Sequence, residues 1–183
     1  MQLLTREDID YIENQLYNWT DKAIVECLWE GVTGQSMEDL VSISKDMLDI
    51  KKRTITFKNG KTVPITEHLI ELLSAAFSET EYVCYGSTNR AKKLFGTDTL
   101  YKRRDNANNL DSEDKCFRWV YRKIQIYREH VKIKKFTMKN ISTSGMYYYL
   151  RNGMAENKLN LRDFLVTDEG QNLMNKYGYN AEN

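Results

Sequence analysis

The sequence has 183 residues, of which 41% are hydrophobic and 11% aromatic, so it predicts one domain with a sizeable core and excludes a disordered chain. No apolar run approaches the roughly 18–20 residues that span a bilayer, and the opening MQLLTREDID is charged, so we expect neither a membrane protein nor an exported one. The three cysteines, Cys27, Cys84 and Cys116, are odd in number and widely spaced, which indicates free thiols in a cytoplasmic protein.

The net charge of +1 is unevenly distributed. Residues 90–139 carry 15 Lys and Arg against 6 Asp and Glu, so the rest of the chain is acidic. A neutral protein with one basic half can present a basic face to a phosphate backbone. The alternative is an ordinary solvated surface.

The first third of the chain is predicted to be helical. Thr5 precedes Glu7 and Asp8, which favours a helix start, and apolar residues then recur at helical spacing. Asp21 is predicted to cap a second helix, AIVECLWEGV, which is apolar almost all round and is therefore expected to be buried. A glycine turn follows, and Ser36 is predicted to cap a third helix, SMEDLVSI.

The hydrophobic period then changes to that of strands. RTITF and TVPIT alternate around Asn59-Gly60, the strongest short hairpin signal in the chain. Pro64 places its strand near a sheet edge. Thr66 is predicted to cap the next helix, EHLIELLSAAF.

The second half is predicted to be mostly helical. A mixed stretch with a possible short helix at 90–95 runs to about residue 109, and Asp111 or Ser112 is predicted to cap a long helix. Its expected apolar stripe is Cys116, Phe117, Val120, Ile124 and Tyr127. Further helices are predicted at TMKNISTSGMYYYLRNG, ended by Gly153, at LNLRDFLVT and at GQNLMNKYGY. The fold class is thus mainly α with a small antiparallel β-sheet (α+β).

This order of elements resembles the C-terminal catalytic domain of the tyrosine recombinases, the phage integrase family. LLTREDIDYIENQL is similar to the start of that domain, and AIVECLWEGVTGQSMEDLVSISKDMLDIKKRTITFKNGKTVPITEHLIELL is similar to its first half. The resemblance covers almost all of residues 1–183 and implies a single integrase-like domain without the N-terminal core-binding domain.

The resemblance implies a specific chemistry. Such enzymes cleave DNA with a tyrosine hydroxyl, two arginines stabilise the pentavalent phosphate, and a hairpin lysine and histidines transfer protons.

Several of these positions are altered here. Ser36 lies where the first arginine is expected, Lys139 and Ser142 fall on the second histidine–arginine box, and Thr167 replaces a later histidine. Asp39 stands where a glutamate is usual. Loss of one precisely placed transition-state donor costs on the order of 10²–10³ in rate. The resemblance therefore predicts a catalytically inactive domain.

Other positions match better. The hairpin lysine is Lys58 or Lys61, either of which is also an ordinary turn residue, and Tyr177 or Tyr179 lies where the nucleophile is expected. The two histidines, His68 and His130, match none of the required positions, so we expect surface or half-buried roles for them.

A domain of this shape without the chemistry is predicted to bind double-stranded DNA, with no cofactor and no metal. Candidate phosphate contacts on the long helix share one face at i, i+3, i+7 spacing: Lys115, Arg118 and Arg122. Further candidates are Lys58, Lys61, Arg103, Arg104 and Lys139. Asn108 and Asn109, with the two arginines of the same loop, have side chains that can read bases.

The resemblance implies a phage or prophage repressor that controls lysogeny, with a phage regulatory protein as a possible partner. One alternative is an active recombinase that uses Tyr177. The other is a protein-interaction module with an apolar patch around Trp119, Tyr147 and Tyr149. The oligomeric state stays open.

Overall fold

The computed structural model describes residues 2–86, 90–95, 98–102, 110 and 112–179. This part of the chain is mostly helical with two small antiparallel sheets, in agreement with the predicted α+β class. The helices are α1 (Arg6–Gln15), α2 (Trp19–Glu30), α3 (Met37–Val41), α4 (Glu67–Ser78), α5 (Glu113–Val131), α6 (Met138–Asn157), α7 (Leu161–Leu165) and α8 (Asp168–Lys176). The strands are β1 (Leu48–Asp49), β2 (Thr54–Thr56), β3 (Thr62–Pro64), β4 (Glu81–Val83) and β5 (Ala91–Lys93).

Helix α2 is the centre of the core. It packs against α4 and α6, and its apolar side chains from Ala23 to Trp29 are buried on every face, as the sequence predicted for AIVECLWEGV. α1 begins with a capping box in which Thr5 and Asp8 bond to each other's backbone N–H groups. In the described part of the chain, no helix is both long enough and apolar enough to cross a bilayer.

The predicted cap of α2 is wrong, because the helix begins two residues before Asp21, after Asn18. Asp21 is fully buried in the first turn, where its carboxylate accepts hydrogen bonds from Lys123 at 2.7 Å and from the hydroxyl of Tyr127. A buried carboxylate needs such partners, and they come from α5, which the local pattern could not show.

The predicted hairpin is confirmed. β2 pairs with β3 in the order β1-β2-β3, Gly60 has a φ of +84°, and the side chain of Asn59 accepts a 2.9 Å bond from the backbone N–H of Lys61. Pro64 lies on an edge strand, as expected for a residue without an N–H. Thr66 caps α4 as predicted.

The short helix predicted at 90–95 is wrong. Residues 91–93 form β5, which pairs with β4 in a second sheet. The backbone of this segment finds its hydrogen-bond partners in β4, a long-range choice that overrides a weak local helix signal.

The end predicted for α6 at Gly153 is also wrong, because the helix continues to Asn157. A Cβ at Gly153 would overlap the ring of Phe164, so this glycine permits α7 to pack closely. The helix ends instead at Lys158, whose φ is +55°.

The long helix α5 buries the predicted stripe with one exception. Cys116, Val120, Ile124 and Tyr127 are almost fully buried, whereas Phe117 is 47% exposed. Ser112 is the residue before the first turn, although its side chain makes no capping bond, and Asp111 lies outside the described residues.

Candidate functional site

The glycine turn before α3 is closed by its own side chains. Ser36 caps α3 by accepting a 3.3 Å bond from the backbone N–H of Asp39, as predicted. The carboxylate of Asp39 accepts a 2.8 Å bond from the N–H of Gln35 and lies against Gly34, whose φ is +66°. Both side chains therefore stabilise the turn itself, and Ser36 is too short and uncharged to form a bidentate contact with a phosphate.

Tyr177, the predicted remnant of the nucleophile, is tied to the end of α2. Its hydroxyl donates a hydrogen bond to the backbone carbonyl of Trp29, and its ring lies so close to Gly31 that a Cβ there would be 2.8 Å from it. The last carbonyls of a helix have no partner within the helix, so this bond satisfies one of them. Burial raises the pKa of the Tyr177 hydroxyl well above its usual range.

Close approach between α6 and α2 depends on Gly145. A Cβ at this position would overlap the carbonyl oxygen of Trp29, the same atom that accepts from Tyr177. Tyr179, the other tyrosine considered, is 52% exposed.

The two hairpin lysines differ in their contacts. The ammonium of Lys61 donates a 3.1 Å bond to the carbonyl of Asn175, so the hairpin is joined to α8 two residues before Tyr177. Lys58 is exposed at the turn. The structure thus brings one of the two candidate lysines beside the helix that ends at the candidate tyrosine.

The other positions that the resemblance predicted to be altered lie at or near helix starts. Lys139 is exposed in the first turn of α6, and Ser142 is half-buried one turn later. Thr167 caps α8, since its hydroxyl accepts a 3.1 Å bond from Gly170 N–H and donates at 2.7 Å to the carbonyl of Phe164. Thr167 therefore has a structural role at the position where a histidine was expected.

The basic face of α5 forms as predicted. Lys115, Arg118 and Arg122 are exposed on the side of the helix that faces away from its buried stripe. Arg118 forms an ion pair with Asp114 on the same helix. Next to this face, Phe117 and Tyr121 stack with ring centroids 6.2 Å apart and are 47% and 49% exposed. Arg103, Arg104, Asn108 and Asn109 lie outside the described residues.

The aromatic patch expected for a protein-interaction module is largely internal. Trp119 packs against the core and makes an edge contact with Tyr101 at 5.2 Å, and Tyr149 is also partly buried against the core. Of the three side chains, Tyr147 is mainly exposed, at 52%.

A buried charged cluster was not predicted. Glu13, Glu26 and Glu30 are each at most 4% exposed and lie beside Arg6 and His68. The signal was present in AIVECLWEGV, because a helix that is buried all round must also bury the two glutamates of that stretch.

Each buried carboxylate of this cluster has partners on other elements. Arg6 donates to both oxygens of Glu26 at 2.7 Å. His68 Nε2 lies 2.7 Å from Glu13 Oε2, and Glu30 accepts a 3.1 Å bond from the N–H of Thr66 and lies 3.5 Å from the ammonium of Lys176. Hydrogen bonds and ion pairs between charged side chains thereby connect helices α1, α2, α4 and α8.

Burial perturbs the ionisation of this cluster. Desolvation, reinforced by the charge of Glu13, raises the pKa of Glu26 to about 9, although the guanidinium of Arg6 acts in the opposite direction. The hydrogen bond with Glu13 raises the pKa of His68. Desolvation lowers the pKa of Lys176.

Most of the cluster lines a cavity of about 850 Å³ whose wall is formed by α1, α2, α4, α6, α8 and residues 64–66. Its wall includes Arg6, Glu26, His68, Tyr149 and Lys176. His68 thus has a half-exposed position as predicted, and His130 bonds through Nε2 to the carbonyl of Gln15 at 2.9 Å.

Comparison with known proteins places the chain in a family. Residues 3–183 match the family described as "MrpR, C-terminal catalytic domain", a tyrosine recombinase-like domain. The chain is also similar to the SPbeta prophage-derived uncharacterized protein YopR of Bacillus subtilis (strain 168), with 26% identity over 191 residues. The alignment covers 95% of the chain and 58% of YopR, so the chain spans less than two thirds of that relative. The match over almost its full length shows that the chain belongs to the MrpR C-terminal catalytic domain family.

Proposed function

We propose that this chain is a DNA-binding domain that does not cleave DNA, and that it acts in a prophage transcriptional repressor that controls lysogeny. The observation that carries the proposal is the use of the altered catalytic positions for helix capping, while the basic face of α5 stays exposed.

The absence of cleavage is supported by three local contacts. The hydroxyls of Ser36 and Thr167 accept hydrogen bonds that cap helices. None of Ser36, Ser142 and Thr167 has a guanidinium group that could donate two hydrogen bonds to a phosphate. The hydroxyl of Tyr177 donates to a backbone carbonyl, and its raised pKa disfavours the phenolate. A nucleophilic tyrosine needs an accessible oxygen and a base to activate it.

DNA binding is supported by the positions of the basic side chains. Three cations on one exposed helix face can each neutralise a phosphate, and the adjacent exposed Phe117 and Tyr121 provide apolar contact area. The prophage role is supported by the similarity to YopR, which is a prophage-derived protein.

The proposal is tested by measuring binding of the chain, and of any longer natural form, to duplex fragments of its own genome at several salt concentrations. We expect tight binding to a few fragments. The double variant Arg118→Gln/Arg122→Gln is expected to lower the slope of log K against log salt by about 2, since each phosphate contact contributes roughly 0.9.

The matched control is Arg151→Gln/Arg162→Gln, which removes the same charge from exposed positions on α6 and α7. It is expected to leave the slope nearly unchanged. Equal slopes for both double variants would reject the α5 face as the contact surface. No binding by either form at low salt would reject the DNA-binding function.

A further inference from the structure

We propose that Glu13, Glu26 and His68 form a binding site for one divalent transition-metal ion, with Zn²⁺ as the best-matched ion. The site goes beyond the proposed DNA-binding function and differs from the expectation of a metal-free protein. Glu26 and His68 line the cavity of about 850 Å³ described above, and Glu13 Oε2 lies 2.7 Å from His68 Nε2.

The three side chains have the geometry that a small cation needs. One carboxylate oxygen from each glutamate and one ring nitrogen of His68 all lie within 4.8 Å of one another. They come from α1, α2 and α4, so the positions are fixed by core packing and do not depend on a loop. Ligand atoms about 2.0–2.2 Å from a zinc ion are separated by distances within that limit.

Glu13 supplies an independent indication of a ligand. It is 4% exposed, and its Oε1 has no hydrogen-bond partner among the described residues, whereas Oε2 is bonded to His68. A buried carboxylate oxygen without a partner is unfavourable, and a metal ion is one of the groups that satisfies it.

The cluster also gathers several carboxyl groups in one place. Glu13, Glu26 and Glu30 bury three of them beside Arg6 and Lys176. Carboxylate ligands must be deprotonated, so a divalent ion at this site competes with protons for the glutamates. Arg6 competes for Glu26, yet it is also held by Asp10 at 2.6 Å, so it keeps a partner when the metal is bound.

The ligand set selects the class of ion. Imidazole and carboxylate together suit Zn²⁺ and its first-row neighbours, whereas Mg²⁺ prefers oxygen ligands and retains its water. We therefore expect the order of affinity Zn²⁺ above Mn²⁺ above Mg²⁺.

The test is isothermal titration of the chelator-treated chain with Zn²⁺, in the absence of DNA, followed by the absorption spectrum of the Co²⁺ form. We expect one ion per chain and a d–d band typical of nitrogen and oxygen ligands. His68→Ala is expected to weaken binding at least about tenfold, because loss of even an outer-shell partner costs on the order of 10–100-fold.

His130→Ala is the matched control, since it removes the second of the two histidines and leaves the site intact. Circular dichroism checks that both variants are folded, and the half-exposed position of His68 favours this. Glu13→Gln, which keeps the shape of the side chain, is expected to weaken binding as well.

Three outcomes overturn the proposal. One is a lack of Zn²⁺ binding by the folded chain, which means that protons neutralise the cluster. Another is equal affinity in His68→Ala and His130→Ala. The third is binding that survives His68→Ala and is lost in Cys84→Ser, together with a thiolate charge-transfer band, which assigns the ion to a cysteine.

Discussion

Tyr177 is predicted to stabilise the fold through its hydroxyl and to take no part in DNA cleavage. Tyr177→Phe removes the hydrogen bond to the carbonyl of Trp29 and keeps the ring that packs on Gly31. The carbonyl belongs to the last turn of α2 and then has no partner within its helix. Leaving such a buried group unsatisfied costs about 1–3 kcal/mol of the free energy of unfolding.

The measurement is urea unfolding followed by circular dichroism. With a slope of about 2–3 kcal/mol/M, this loss lowers the midpoint by roughly 0.3–1.5 M and leaves the slope unchanged. Tyr179→Phe is the control, because its side chain is 52% exposed and the change is expected to cost less than about 0.5 kcal/mol.

A second assay separates the structural role from a catalytic one. The wild-type chain and Tyr177→Phe are incubated with nicked duplex DNA that traps a covalent protein–DNA adduct, and neither is expected to form it. An adduct in the wild type that disappears in Tyr177→Phe would refute the reasoning, as would an unchanged unfolding midpoint.

Three further predictions concern packing and charge. Gly145→Ala is expected to lower the free energy of unfolding by about 1–3 kcal/mol in urea titrations, because the new methyl group overlaps a backbone carbonyl of α2; an unchanged midpoint would mean that the helices separate freely. Asp21→Asn is expected to cost about 3–5 kcal/mol, since Lys123 is then a buried charge without its carboxylate, and calorimetry that finds no loss of Tm would contradict this. Glu13 raises the pKa of His68, so the pair's contribution to stability is complete below the unfolded pKa of about 6.5 and is lost as pH rises through the folded pKa. In chelator, the difference in unfolding free energy between wild type and His68→Gln should therefore shrink as pH rises from the unfolded to above the folded pKa. A pH-independent difference would show that the pair does not titrate.

Local sequence determined the elements whose chemistry is complete within a few residues. Thr5, Ser36 and Thr66 cap the helices that follow them because a hydroxyl at that position satisfies a backbone N–H of the first turn. Asn59-Gly60 forms the hairpin because glycine takes the positive φ at low cost. Spacing alone also put the three cations of α5 on one exposed face.

Tertiary structure decided what depends on partners distant in the chain. β5 is a strand because β4 offers it a pairing edge, and α6 continues through Gly153 because Phe164 fills the space beside it. Asp21 serves as the buried partner of Lys123, 102 residues away, and Tyr177 reaches Trp29 across 148 residues. That catalytic side chains are replaced stays a prediction from the resemblance. The contacts of Tyr177 and of the buried glutamates follow from burial, because the cost of an unpartnered polar group is set only when the chain has folded around it.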